Sequence, residues 1–294
     1  VNVSKFVNNL ITISKLVPLA LFIAIGIFFI NGANFTPVFP QDIYVDGSFA
    51  QAAVLLFFAY TGFEVIAIAA EDMKNPKKNL PRAIIMCMLL VSVLYMAILA
   101  VSIGVLGTDL ANTKAPVQDA FNVIVGPVGM YIVLVGTLIS MGGINFAEAY
   151  YAPRVATSMA EDGMLPSALA KRNRYNAPYV AAIVTAIASV LLAWSGSFTT
   201  LAAISAVSRF TQYLPTCLAV IIFRRKWADK ARSYTIPGGY LIPVIAIGTS
   251  LWMLAQAQTN QLLWGLGGCI VILPFYYSYW KKKKAGLIKD NDEM

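Results

Sequence analysis

A glycine and a glutamate interrupt a long apolar run in the segment FFAYTGFEVIAIAAEDMKNPKKNLPR, residues 57–82. The glycine is Gly62 and the acid is Glu64. A charged side chain at mid-depth in a membrane helix costs about 3 kcal/mol on insertion scales and marks a functional position by default. Close helix packing is the structural alternative for the glycine. For the acid, the alternative is a carboxylate that satisfies loose backbone N–H groups or pairs with a neighbouring helix. The two residues together predict a helix that is broken near residues 60–64, with a site at the break.

Composition indicates that this run lies in an integral membrane protein. The chain has 294 residues and a mean hydropathy of +0.70, and only 12% of its residues are charged, where soluble domains carry about 25%. Most of its apolar runs exceed the roughly 20 residues that a helix needs to cross the hydrocarbon. Eight runs can be read, at about 6–30, 49–72, 82–107, 124–151, 178–195, 199–223, 237–257 and 260–280. We therefore expect an all-α integral membrane protein with about eight transmembrane helices.

The basic residues fall in alternate loops. If the N-terminus is cytoplasmic, the cytoplasmic loops contain the basic groups Lys74–Arg82, Arg224–Arg232 and Lys281–Lys284. The loops on the outer face then contain, of the basic residues, only Lys114. This positive-inside pattern predicts a multi-pass protein of the cell membrane, with both ends of the chain in the cytoplasm. The net charge of +8 is thus explained by topology, and no nucleic-acid partner is expected.

The sequence offers little for metal or catalytic chemistry. Its three cysteines all fall inside apolar runs without CxxC spacing, and the chain contains no histidine. We therefore expect no metal, no cofactor and no enzymatic activity, because the polar residues are too few for a hydrolytic site in the membrane. Any proton coupling must use a carboxylate, a lysine or water.

Three further polar residues lie inside apolar runs. Lys15 is about ten residues into the first run, which is deep for a side chain that snorkels to the interface. A lysine there can substitute for a bound cation or exchange a proton. Ser140 begins the small-residue cluster SMGG, for which close helix packing is an equally good interpretation. Arg209, in the sixth run, is expected to face the bundle interior or a water-filled cavity, and the sequence does not identify its partner.

Local patterns predict the segments between the runs. KNPKKNLPR, residues 74–82, is expected to be a basic loop, with Pro81 in the first turn of the helix that follows. The outer stretch 108–123 is expected to hold a short helix. The inner stretch 154–175 has the pattern of an amphipathic interfacial helix that ends near Gly163.

Several motifs resemble one transporter family. FAYTGFE at 58–64, followed by EDMKNPKKNLPRAI at 71–84, resembles the sixth helix and following loop of amino acid permeases of the amino acid–polyamine–organocation superfamily. TISKLVPLALFI at 12–23 resembles the family's fifth helix, and APRVATSMAEDGMLP at 152–166 resembles the loop after its eighth. The last two hairpins resemble helices nine to twelve, so the resemblance covers essentially the whole chain.

The resemblance implies helices five to twelve of a five-plus-five inverted-repeat fold, in a single transmembrane domain over 1–294. In this division, 1–48 holds helix five and an outer loop, and 49–223 holds the second repeat, helices six to ten. Residues 224–294 hold the last two helices and a basic cytoplasmic tail. The family's first four helices have no counterpart in the sequence. We therefore expect the latter part of a longer protein, with those helices or a second protomer as a partner.

The resemblance also implies roles for individual residues. Phe58 matches a gating aromatic, and backbone groups freed by Gly62 match those that hold the substrate ammonium. Lys15 matches a lysine that fills the ion site of sodium-coupled relatives, with the region of Ser140 as its counterpart. An apolar Ile144 in the side-chain pocket favours neutral substrates. The substrate-binding candidates are thus Phe58, Ala59, Thr61, Gly62, Phe63 and Ile144, and the coupling or gating candidates are Lys15, Glu64 and Ser140.

The expected function is secondary active transport of an amino acid, as part of a complete permease. Transport is expected to use proton symport or exchange rather than ATP, because the chain has no phosphate-binding loop of the GxxxxGK[ST] type. The partners are then the amino acid, protons and the lipid bilayer. The alternative is a truncated, non-transporting membrane remnant or an amino-acid-binding half-module.

Overall fold

The computed structural model describes residues 2–37, 48–64, 66, 73–229, 232, 234–235 and 238–284. These residues form α-helices joined by turns and short 3₁₀ helices, and they contain no β-strand. The α-helices are α1 (Asn2–Gly26), α2 (Ser48–Ala59), α3 (Pro76–Leu106), α4 (Pro116–Val125), α5 (Pro127–Glu161), α6 (Tyr179–Ser195), α7 (Phe198–Lys226), α8 (Leu241–Gln256) and α9 (Thr259–Lys284). Parts of the predicted outer loop, second run and basic tail, at 38–47, 67–72 and 285–294, lie outside the described residues.

Helix length and composition confirm the predicted fold class, an all-α membrane protein. Among the described helices, those long and apolar enough to cross a membrane cover Leu10–Phe29, Pro76–Asn112, Pro127–Glu161, Phe198–Lys226 and Thr259–Lys281. Three shorter apolar helices, α2, α6 and α8, correspond to the remaining predicted runs. The expected short helix of the outer stretch is α4, which begins with a proline at its first position.

The basic segment after the broken run is helical, so the prediction of a loop there was wrong. Helix α3 begins at Pro76, and the carbonyl of Asn75 accepts the N–H groups of Lys78 and Asn79 at 3.0 Å each. Asn75 has a φ of +51°, a conformation that asparagine tolerates better than most residues. A proline suits the first helical position because its missing N–H needs no acceptor there. Two prolines compete for this role, and Pro76 takes it, which leaves Pro81 inside the helix.

The predicted interfacial helix is the end of α5 rather than a separate element. Helix α5 continues through Pro153 to Glu161. It then closes at Gly163, which has a φ of +78°, and the N–H of Met164 donates to the carbonyl of Met159 at 2.8 Å. This is the hydrogen-bonded ending that a glycine in the left-handed region allows.

The described residues form two compact units, one from residues 1–44 and 87–151 and the other from residues 45–86 and 152–294. In the first unit, Phe22 of α1 and Phe121 of α4 are fully buried, with ring centroids 5.6 Å apart in an edge-to-face arrangement. Val101 of α3 joins them. A Cβ placed on Gly26 of α1 would lie 2.3 Å from a methyl of Val101, so the glycine permits close approach of the two helices.

Helix α7 is central to the second unit. Its buried residues recur at helical spacing and form one apolar stripe, made of Ala202, Ala203, Ala206, Val207 and Phe210. Val54 of α2 packs against this stripe. On α9, the carbonyl of Gly265 accepts the Ser208 hydroxyl at 3.0 Å. Small residues at such contacts let two helix backbones approach closely.

Candidate functional site

Helix α2 ends at Ala59, immediately before residues 60–64, where the sequence predicts a break. The N–H groups of Tyr60 and Thr61 donate to carbonyls three residues back, at 3.1 Å each, so the last turn is tighter than an α-helix. Gly62 then has a φ of +104°, which residues with a Cβ rarely adopt, and the chain turns into a short 3₁₀ segment at Phe63 and Glu64. The apolar run is therefore interrupted at its glycine.

Glu64 collects three donors around this turn. Its Oε2 accepts the N–H of Gly62 at 2.9 Å and the hydroxyl of Tyr213 at 3.0 Å. Its Oε1 accepts a hydrogen bond from Nη1 of Arg209, with which it forms an ion pair. The Glu64 side chain is 15% exposed and the Arg209 side chain 35% exposed. We call Gly62, Glu64, Arg209 and Tyr213 the Glu64 cluster.

The local sequence explains how the cluster forms. Gly62 lies beyond the end of α2, so its N–H has lost the helical acceptor that it would have had. A carboxylate two residues later reaches back and replaces that acceptor. Arg209 and Tyr213 are four residues apart on α7, and this spacing places both side chains on one face of the helix. One carboxylate can therefore meet both.

Aromatic rings surround Tyr213. Phe57 stacks on Phe210, with centroids 4.7 Å apart, and meets the Tyr213 ring edge-on at 5.9 Å. Phe63 lies against the Tyr213 ring at 5.8 Å. Rings around a polar group limit its contact with water, and a charged hydrogen bond is stronger where the local dielectric is low. The cluster thus joins the break in α2 to the middle of α7 through both charge and packing.

The backbone groups at the break are already engaged in this conformation. The Gly62 amide donates to Glu64, and the Phe58 carbonyl accepts both the N–H and the hydroxyl of Thr61, at 3.1 and 2.7 Å. Both structural alternatives for Glu64 therefore hold at once, since it caps a loose amide and pairs with a neighbouring helix. A ligand that uses these groups must first displace Glu64 or Thr61.

Helices α1 and α5 of the first unit carry the remaining predicted residues, Lys15, Ser140 and Ile144. A Cβ on Gly143 would lie 2.6 Å from Ile11, and one on Gly136 would lie 2.6 Å from Pro18, so the two helices run antiparallel in close contact. Lys15 is four residues after Ile11 on α1, and Ser140 is four residues after Gly136 on α5. Both therefore lie at the level between the two contacts, and both are half-buried.

Ile144 is 58% exposed in the first unit, so the described residues do not enclose it in a pocket. The other predicted substrate-binding residues, from Phe58 to Phe63, belong with Glu64 to the second unit. The predicted role of Ile144 stays a prediction.

Sequence reasoning missed Tyr213 and left Arg209 without a partner. The available signal was the spacing of the two residues, since an arginine and a tyrosine four apart in an apolar helix share one face. That spacing could have identified a polar pair. It could not have identified Glu64 as the partner, because the contact joins residues 145 positions apart in the chain.

Comparison with known proteins gives a family for this arrangement. The family model described as amino acid permease matches residues 1–279. The branched-chain amino acid permease BcaP of Bacillus subtilis is 30% identical over 286 residues, which cover 95% of this chain and 60% of that protein. The methylthioribose transporter of the same organism is 30% identical over 280 residues, 94% of this chain and 59% of that protein.

A third relative, the serine/threonine exchanger SteT of Bacillus subtilis, is 29% identical over 288 residues, which cover 95% of this chain and 65% of that protein. The chain thus spans about 60% of the length of the first of these relatives. The three relatives are named as permease, transporter and exchanger. Because the family model covers nearly the whole chain, the chain belongs to the amino acid permease family, within the amino acid–polyamine–organocation superfamily.

Proposed function

We propose that the complete protein carries a neutral amino acid across the cell membrane by proton symport or exchange, and that this chain supplies its broken helix. The Glu64 cluster carries the proposal, because an ion pair and a non-helical backbone turn meet there within a predicted membrane-spanning run. Two relatives are named for branched-chain amino acids and for serine and threonine, which are neutral. The expected apolar lining by Ile144 favours the same substrate class.

The proposed mechanism follows from the hydrogen bonds that the turn at Gly62 makes in this conformation. An amino acid presents an ammonium that needs carbonyl acceptors and a carboxylate that needs donors. The Phe58 carbonyl becomes available to the ammonium when the Thr61 hydroxyl rotates away from it. Protonation of Glu64 removes the charge that attracts Arg209 and weakens the hydrogen bond that the Gly62 N–H donates to the carboxyl group. Binding and proton transfer thereby act on the same turn.

Lys15 and Ser140 are proposed to act in coupling. Their common level on α1 and α5 supports a contact of the lysine with the α1–α5 interface, where its charge takes the place of a metal ion. The proposal keeps the division of the sequence at 1–48, 49–223 and 224–294, with both ends of the chain in the cytoplasm. We also propose that helices from the rest of the complete protein contact the exposed surface around Ile144.

Uptake by the complete protein in proteoliposomes tests the proposal. We expect leucine or serine uptake that rises with an inward proton gradient or with counter-substrate inside. Glu64→Gln should remove the dependence on the proton gradient, Lys15→Ala should uncouple or abolish uptake, and Gly62→Leu should abolish substrate binding. Asp229→Asn, a carboxylate in the exposed turn after α7, is the matched control and should leave uptake unchanged.

Two results would contradict the proposal. One is an unchanged rate and unchanged proton dependence in Glu64→Gln, which would remove the cluster from coupling. The other is a folded complete protein that moves no amino acid under any gradient, which would favour the remnant. A half-module would instead show thermal stabilisation of this chain by a few related amino acids without uptake.

A further inference from the structure

The first two turns of α3 form a basic cavity in the second unit. The cavity has a volume of about 390 Å³ and is lined by Lys77, Lys78, Arg82 and Tyr234. Three of the four lining residues are cations and the fourth has a phenolic hydroxyl, and all four are exposed. Among the described residues, the lining therefore offers donors and no carboxylate. Its chemistry suits an anion with several acceptor oxygens.

The position of these cations at the start of a helix is electrostatically unfavourable without an anion. The N-terminal end of a helix carries partial positive charge, and acidic residues normally stabilise it. The first turn of α3 has no acidic residue and two lysines instead. Lys78 and Arg82 are four residues apart, a spacing at which like charges repel. Neither of the ion pairs found among the described residues involves these three cations.

The location of the cavity identifies the class of anion. Helix α3 opens a span that is long and apolar enough to cross the membrane, so its first turns lie at the membrane interface. Tyr234 is 45% exposed and has the amphipathic ring that is typical of this depth. The positive-inside pattern assigns this end of α3 to the cytoplasmic face. Basic clusters immediately cytoplasmic of a membrane helix attract anionic phospholipid head groups.

We propose that this cavity binds the phosphate of an anionic phospholipid. Arg82 contacts the phosphate oxygens in a planar, two-point arrangement, the two lysines act as point charges, and Tyr234 donates its hydroxyl. The bound lipid then compensates the charge at the start of α3, the helix that follows the broken segment. Glu71 and Asp72 precede this region in the sequence, outside the described residues, and the experiment includes them.

Native mass spectrometry of the purified chain in neutral detergent tests the proposal. The probes are dioleoyl phosphatidylglycerol, dioleoyl phosphatidylcholine and inorganic phosphate. We expect one tightly bound phosphatidylglycerol, and binding weaker by roughly 100-fold in Lys77→Gln/Lys78→Gln/Arg82→Gln, because each cation in contact with the bound phosphate is expected to contribute about fivefold. The control Arg225→Gln/Lys226→Gln/Lys281→Gln removes the same charge from equally exposed positions that do not line the cavity, and it should bind within about twofold of the original.

Several results would overturn the proposal. Equal losses in the two triple variants would mean general charge attraction, and equal binding of phosphatidylcholine would mean no selectivity for an anion. Displacement of the lipid by inorganic phosphate would make the ligand a free phosphate. Tighter lipid binding in Glu71→Gln/Asp72→Asn would mean that the chain's own carboxylates fill the cavity. If the triple variant does not fold, Arg82→Gln alone carries the test, with an expected loss of about fivefold.

Discussion

The ion pair between Glu64 and Arg209 makes a measurable prediction about stability. Replacing Arg209 by glutamine leaves a carboxylate that is only 15% exposed without its positive partner. Removing one member of a buried pair costs about 3–5 kcal/mol. Arg209 is 35% exposed and Glu64 keeps its bonds from Gly62 and Tyr213, so we expect a smaller loss of roughly 2–3 kcal/mol in the free energy of unfolding.

A double-mutant cycle isolates the pair. Glu64→Gln leaves Arg209 unpaired, whereas the double variant removes both charges and still offers an amide oxygen to the Gly62 N–H. The double variant should therefore be more stable than the sum of the single changes predicts, with a coupling energy of about 2 kcal/mol. The free energies come from reversible unfolding of the four proteins in mixed micelles, with denaturing detergent added stepwise and tryptophan fluorescence as the signal.

A second ion pair in the same chain supplies the control. Arg172 and Glu161 are 2.8 Å apart, but their side chains are 41% and 47% exposed. An exposed pair contributes about 0–1 kcal/mol, so the same cycle on these two residues should give a coupling energy of less than about 1 kcal/mol. A coupling energy at the Glu64 pair no larger than that of the control would refute the reasoning that burial makes it strong.

Two glycine pairs test helix contacts by the same unfolding measurement. Gly265→Ala places a Cβ 2.7 Å from Val207, so we expect the free energy of unfolding to fall by about 1–3 kcal/mol. Its control is Gly268→Ala, whose Cβ would meet no described residue beyond its own turn of α9 within 4 Å, so this variant should leave the stability unchanged or raise it. Equal effects of the two variants would contradict the α7–α9 contact. Gly143→Ala, 2.6 Å from a side-chain carbon of α1, should destabilise by a similar amount while its neighbour Gly142→Ala does not, and the reverse order would contradict the α1–α5 contact.

The sequence was sufficient to predict the break because both of its causes are local. Gly62 supplies the turn and Glu64 supplies an acceptor within two residues, so the pattern is readable without tertiary structure. The contact with α7 was not readable, because it joins distant parts of the chain and depends on helix packing. The start of α3 was misplaced by several residues for a local reason, since Pro76 and Pro81 both suit a first turn and sequence alone does not rank them.

Each member of the Glu64 cluster compensates for a cost that another member creates. The turn at Gly62 leaves an amide without its helical acceptor. Glu64 meets that donor but brings a charge into an apolar region, and Arg209 offsets the charge. Because the carboxylate occupies a backbone amide beside a cation, Glu64 holds the turn much as the carboxylate of an incoming amino acid would. Under the proposed function, release of Glu64 must therefore precede or accompany any use of this amide by a ligand. Because the amide oxygen of a glutamine accepts from the Gly62 N–H more weakly than a carboxylate does, a Glu64→Gln protein should bind amino acid without the requirement for a proton.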